Sequence, residues 1–240
     1  MLLVFKNWSI GVLALLLAAC GVPKVRHAAP PPKSEESMPR PGLPPGRVFR
    51  IDENQSELRI LVYRAGLLAR FGHNHVIVNH AIRGTVNLAD APGDSVFRLN
   101  VPAAGFVVDD VHARRKEGAD FAGDVPDDAK SGTLHNMLSA ALLNADEFPV
   151  IAVRGVEGSG ARAAPGSGAL TAAVTISVAG HESTVVVPLT LQVDSRRLSA
   201  TGSMELRQSA LGLTPFSLML GALQVQDAMT IKFDIVAVPD

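Results

Sequence analysis

The chain has 240 residues, 47% of them apolar, with 22 basic and 23 acidic side chains and a formal charge of −1. Without a basic excess there is nothing to displace phosphate counterions, which removes the electrostatic case for nucleic acid. One cysteine excludes an internal disulfide and a cysteine-based zinc cluster, and 5% aromatic content leaves a core built from Val, Leu, Ala and Ile.

At the amino end Lys6 supplies a short basic start, and residues 10–19 form an apolar run that ends in Leu17-Ala18-Ala19-Cys20. Ten such residues span about 15 Å as a helix, half of a ~30 Å bilayer core, so a signal peptide fits better than a transmembrane span. Small residues before the cysteine resemble the bacterial lipobox, in which cleavage precedes Cys and the thiol is acylated. Residues 1–19 are therefore expected to be a lipoprotein signal peptide, with Cys20 lipidated and anchored in the membrane. Gly21 in place of Asp points to the outer membrane, with the protein facing the periplasm. An ordinary signal peptide with an incidental cysteine is the competing reading.

Residues 21–46 carry eight of the chain's 16 prolines, from Pro23 to Pro45. Proline fixes φ and lacks an amide donor, so residues 20–46 read as a lipidated tether, up to ~80 Å long at about 3.1 Å per residue.

From Val48 onward the pattern changes to short runs alternating apolar and polar residues. The predicted strands are Leu58 to Tyr63, Ile82 to Leu88, Val96 to Val101, Val150 to Val156, Leu170 to Val178, Thr184 to Val193, Leu198 to Leu206 and Gln224 to Val238. One helix is predicted over Asp128 to Leu143, where Leu134, Met137, Leu138, Ala141 and Leu142 recur at helical spacing, and a short second one near Pro215 to Leu220. Short connections favour an antiparallel meander, and eight strands over ~190 residues favour a closed barrel or curled sheet.

Four blocks carry a family resemblance. They are Phe49-Arg50-Ile51-Asp52 with Ser56; Leu138-Ser139 through Leu142-Leu143 to Phe148-Pro149-Val150-Ile151; Leu170-Thr171 to Gly180; and Ser199-Ala200-Thr201 to Leu211-Gly212-Leu213. In order and spacing they resemble the YceI-like, lipocalin-like family of polyisoprenoid-binding bacterial proteins, over residues 47–240. The resemblance implies an all-β fold, an antiparallel lipocalin-like eight-stranded barrel with one main helix in a long connection. It also implies an apolar interior that holds an isoprenoid lipid of the quinone or polyprenol type. The chain departs from the family pattern at Thr133-Leu134-His135-Asn136 and at Val178-Ala179-Gly180-His181.

Four side chains are the candidates for ligand binding. His73 and His75, in Gly72-His73-Asn74-His75, point the same way if the segment is extended and suit either one metal ion or a quinone carbonyl. Imidazoles hydrogen-bonded at a barrel rim are the alternative. Arg114 and Arg115 suit an anionic headgroup, although Asp109, Asp110, Glu117 and Asp120 close by also fit a solvated, salt-bridged loop. No HExxH, Walker or dinucleotide motif is present, and Gly166-Ser167-Gly168 lies in a Gly/Ser/Ala-rich loop rather than on a strand-turn-helix. The sequence thus points to a lipid-binding protein without enzymatic activity, with a metal-binding protein or an envelope interaction module having a filled barrel as alternatives.

Overall fold

The computed structural model describes residues 45–240 apart from Pro92 and residues 161–167, and at 159 and 160 the backbone only. The expected signal peptide, Cys20 and nearly all of the expected tether lie outside the described residues, as does most of the Gly158–Gly168 loop. The elements are β1 (Gly46–Ile51), β2 (Glu57–Ala65), β3 (His75–Asn79), β4 (Arg83–Ala89), β5 (Val96–Pro102), β6 (Phe106–Val108), α1 (Val111–Arg115), α2 (Asp127–Leu138), β7 (Val150–Gly160), β8 (Gly168–Val178), β9 (His181–Val193), β10 (Leu198–Arg207), β11 (Ser217–Leu218) and β12 (Leu223–Pro239).

Eight strands close a barrel in the order β1-β4-β5-β7-β8-β9-β10-β12, with β12 pairing back onto β1. Every ladder is antiparallel, as short connections require. At 17 residues β12 is long enough to hold two strands on one edge: β1 near its end, Phe49 opposite Pro239, and β2 along the rest, Leu58 opposite Phe233. Ser56 pins the corner between them. Its buried hydroxyl donates to the Val236 carbonyl at 3.2 Å and accepts from the Val236 amide at 3.1 Å. Beyond this corner the sheet continues from β2 through β3 to β6.

The registers define two ends. At the near end, where the described chain begins beside Ala89, lie the β4–β5, β7–β8 and β9–β10 connections. At the far end lie the β8–β9 and β10–β12 connections. The β9–β10 ladder covers only the pairs from Leu198–Val193 to Thr201–Thr190; Pro188, which has no amide hydrogen, sits just past its last pair.

All eight expected strands are present, most of them one to four residues longer than the alternation indicates. Two helical expectations are corrected. The main helix stops at Leu138, and Ser139, with ψ 165°, leaves helical conformation while its hydroxyl donates to the Asn136 carbonyl. Residues 139–145 continue as turns, which carry Leu142 and Leu143 into the core. The expected helix near Pro215 to Leu220 is instead the two-residue β11 and a 3-10 turn at Met219–Gly221. β3 was not marked by alternation because all five residues, His75 to Asn79, are buried, so neither face turns polar.

Candidate functional site: an apolar barrel cavity

Alternation along the barrel strands turns aliphatic side chains inward. On β8 these are Leu170, Ala172, Val174, Ile176 and Val178; on β9 Val187, Leu189 and Leu191; on β10 Leu198, Ala200, Met204 and Leu206. Together with Leu58, Ile60 and Val62 of β2 and with Met137, Leu142 and Leu143, they line a cavity of about 310 Å³. Its volume falls at the low end of the ~300–1,000 Å³ usual for small-molecule sites.

Two glycines shape the wall. Gly155 on β7 and Gly202 on β10 stand at inward positions, where a Cβ would come within 2.5 Å of the Phe97 ring and 2.4 Å of the Phe233 ring respectively. Both rings line the cavity in the space that the missing side chains leave.

Among the described residues the wall is Ala, Val, Leu, Ile, Phe and Met except at three positions, Ser95, Glu157 and Gln208. Ser95 and Glu157 belong to the near end. There the Ser95 hydroxyl accepts from the Ala89 amide at 3.1 Å, and a Glu157 carboxylate oxygen accepts from the Gly93 amide at 3.2 Å. Gln208 belongs to the far end, its side-chain amide donating to the Gln226 carbonyl at 2.8 Å. The middle of the wall therefore offers dispersion and water exclusion, and hydrogen bonding is confined to the ends.

The four candidates from sequence lie elsewhere. None of His73, His75, Arg114 and Arg115 lines the cavity. Leu58, Ile60 and Val62 of β2 and Ile77 of β3 face the cavity, so Leu61, Val76 and Val78 face the other way, into a second core with Ala113 of α1 and Phe121. Arg114, next to Ala113, lies beside that second core, whereas His75 is on the Ile77 face of β3, opposite Val62, and meets Thr133 of α2 there.

Asp109 joins His75 and Arg114. It is buried, and as residue after β6 it takes φ 56°, a left-handed conformation that aspartate tolerates better than most side chains. One carboxylate oxygen accepts from the Val76 amide at 2.9 Å and from Arg114 at 2.5 Å; the other meets His75 Nδ1 at 2.6 Å. Burial alone would raise the carboxyl's pKa, but the His75 hydrogen bond, the Val76 amide and Arg114 outweigh it and hold it below the usual range.

Arg114 also donates to the carbonyls of Asn74, at 2.9 Å, and Phe121, at 2.8 Å. It ties α1 to two loops. With Nδ1 facing Asp109, His75 Nε2 shares a hydrogen bond of 3.2 Å with the Thr133 hydroxyl and joins α2 to β3. Both nitrogens of His75 are thus used, and a metal would have to displace one of these bonds. The His73 ring lies 6.0 Å from it, centroid to centroid, and among the described residues no three His, Cys, Asp or Glu side chains converge on a metal-sized site. Arg115 is exposed on α1. Sequence proximity revealed Asp109 as an acid beside these arginines, but not its union with His75, 34 residues away.

A second, polar cleft lies at the Ser56 corner, lined by Glu57, Arg59, His80, Lys116, Lys232 and Asp234 among others. Several of its charges are paired. Glu117 accepts from Arg59 at 2.7 Å and from Lys232 at 2.6 Å, and Arg59 also pairs with Glu57. Burial would raise the Glu117 pKa, but Lys232 and Arg59 bring it below its ordinary value.

The structure is a closed antiparallel barrel enclosing an aliphatic cavity, with polar lining groups, among the described residues, only at its ends. Its fold is YceI-like. The structure is similar to Burkholderia cenocepacia BcnA, at 16% identity over 78% of this chain and 99% of that one, TM-score 0.54. It is equally similar, at TM-score 0.54, to a polyisoprenoid-binding domain from Saccharophagus degradans implicated in plant cell wall breakdown, at 10% identity over 80% of this chain and 98% of that one. By sequence the chain matches no family model and no curated protein.

Proposed function

We propose that the protein binds an amphipathic isoprenoid lipid, of the quinone or polyprenol type, and carries or sequesters it in the bacterial envelope without catalysing a reaction. The carrying observation is the aliphatic cavity, whose wall is free of polar side chains between its ends. Removing a hydrocarbon tail from water favours binding by about 25 cal/mol per Å² of apolar surface. A headgroup then meets polar partners at one end, Gln208 or the Ser95–Glu157 pair. The similar Saccharophagus domain is polyisoprenoid-binding by description, which supports the same ligand class here. Lipidation at Cys20, a tether over residues 20–46 and an outer-membrane position facing the periplasm complete the proposal, resting on the Leu17-Ala18-Ala19-Cys20 signal.

Delipidated protein titrated with a labelled polyprenol or long-chain quinone tests it. Saturable, stoichiometric uptake is expected, and Val174→Lys, which places an ammonium in the cavity wall, abolishes it. Uptake that does not saturate, or that survives this substitution, overturns the proposal. Mass spectrometry of small molecules extracted from envelope-purified protein then identifies the headgroup.

A further inference from the structure

The far end carries an apolar lobe that plays no part in the cavity. Two connections build it. After β2, a loop with a 3-10 turn at Ala69–Phe71 presents Leu67, 94% exposed, and Phe71, 64% exposed. Before β12, the segment through β11 presents Leu218, Met219 at 74% and a fully exposed Leu220. The loops are locked together: the Leu68 amide donates to the Ala222 carbonyl at 2.7 Å, and Gly66, at φ 90°, lies so close that a Cβ would sit 2.4 Å from that same oxygen. Met219 and Leu220 both hold left-handed backbone, φ 50° and 54°. Two successive residues with large side chains there are costly, and what the conformation achieves is to turn apolar side chains out into solvent.

We propose that this lobe docks on a lipid bilayer. Large apolar side chains protruding together from a water-exposed tip mark an interaction surface. Protrusion favours a fluid partner, which deforms around such side chains, over a rigid face that needs matching pits. Charge points the same way. Residues 65–75 and 213–226 contain no Asp or Glu; their one lysine or arginine is Arg70, whose guanidinium lies 4.7 Å from the centre of the Phe71 ring. An arginine beside apolar tips, with no acid in either segment, suits lipid phosphates at an interface.

The lobe is also continuous with the cavity wall. Val62 and Leu213 line the cavity, and each lies five residues from an exposed tip, Leu67 and Leu218. Docking therefore brings the far end of the barrel to the bilayer whatever the cavity holds. An amino-terminal anchor is compatible with this: a tether of up to ~80 Å exceeds the ~43 Å length of a strand such as the 13-residue β9.

The test uses the full chain with Cys20→Ala, which removes acylation and the native thiol, and a nitrobenzoxadiazole probe on Leu220→Cys. A parallel protein carries the probe on Arg196→Cys, in the near-end β9–β10 turn. With vesicles of phosphatidylethanolamine and phosphatidylglycerol, the probe at 220 is expected to shift to the blue and be quenched by spin-labelled lipid, while that at 196 does neither. Adding Leu67→Asp and Phe71→Asp should abolish the shift. Because probe position is read, membrane association through residues 10–19 does not mimic the result. No shift at 220, equal shifts at both sites, or a shift that grows with protein concentration without vesicles, as a second copy would cause, overturns the proposal. Polyprenol uptake in vesicle-free solution reads the cavity separately.

Discussion

On β2, Leu58, Ile60 and Val62 face the barrel cavity, whereas Leu61, one residue out of phase, faces a second core packed with Val76, Val78, Ala113 and Phe121. The two regions share strands and apolar side chains but are closed differently. Beside the second core a charged node ties chain segments together: Asp109 joins His75, the Val76 amide and Arg114, and Arg114 holds two loop carbonyls. The cavity has no such network between its ends. One region spends polar chemistry on fixing chain segments, and the other keeps it out of the way of an apolar guest.

Breaking the Asp109 node should have the largest effect. Asp109→Ala strands Arg114 and His75, and a loss of about 3–5 kcal/mol in unfolding free energy is expected by urea denaturation. Polyprenol uptake per folded molecule should stay unchanged, because Asp109 does not line the cavity. Enlarging side chains sharpens the contrast. Val76→Phe in the packed core should cost about 1–3 kcal/mol. Val174→Phe, facing the cavity, should be neutral or stabilise by up to about 2 kcal/mol while reducing uptake. An unfolding cost for Val174→Phe equal to that of Val76→Phe would remove the distinction between the regions.

Acid provides a smaller, signed test. The Asp109 and Glu117 carboxyls are held below their ordinary values in the folded protein. Their contribution is therefore fully present above the unfolded carboxylate range, about 4, and is lost as pH falls through the lower folded values. Melting temperature should decline below that range, and less steeply in Asp109→Asn than in wild type. Smallest of all, Arg115→Ala, which removes an exposed side chain, should leave both stability, within about 0.5 kcal/mol, and uptake unchanged.

The alternating runs from Leu58 to Val238 were enough to locate eight strands, because half-buried strands must alternate. β3 escaped for the opposite reason, being buried on both faces. Leu142 and Leu143 were legible as apolar positions but not as members of turns, since Ser139 ends the helix through a local side-chain bond that periodicity does not register. The glycines that admit the Phe97 and Phe233 rings were equally unreadable: each ring belongs to a strand distant in sequence.

The candidate site divides along the same line. Local order in the chain determined strands with one aliphatic face, because period-two patterning sets which side chains share a face, while their closure into a barrel was implied by the family resemblance. It also singled out His75 and Arg114 as unusual. Only the tertiary structure decided that they tie chain segments together, since the partners that use them, Asp109, Thr133 and the Phe121 carbonyl, arrive from elsewhere along the chain. Likewise, apolar residues at 67 and 220 look like core residues in the sequence. Their exposure follows from where the sheet ends and from left-handed backbone at Met219 and Leu220, and both are settled by long-range pairing rather than by residue type.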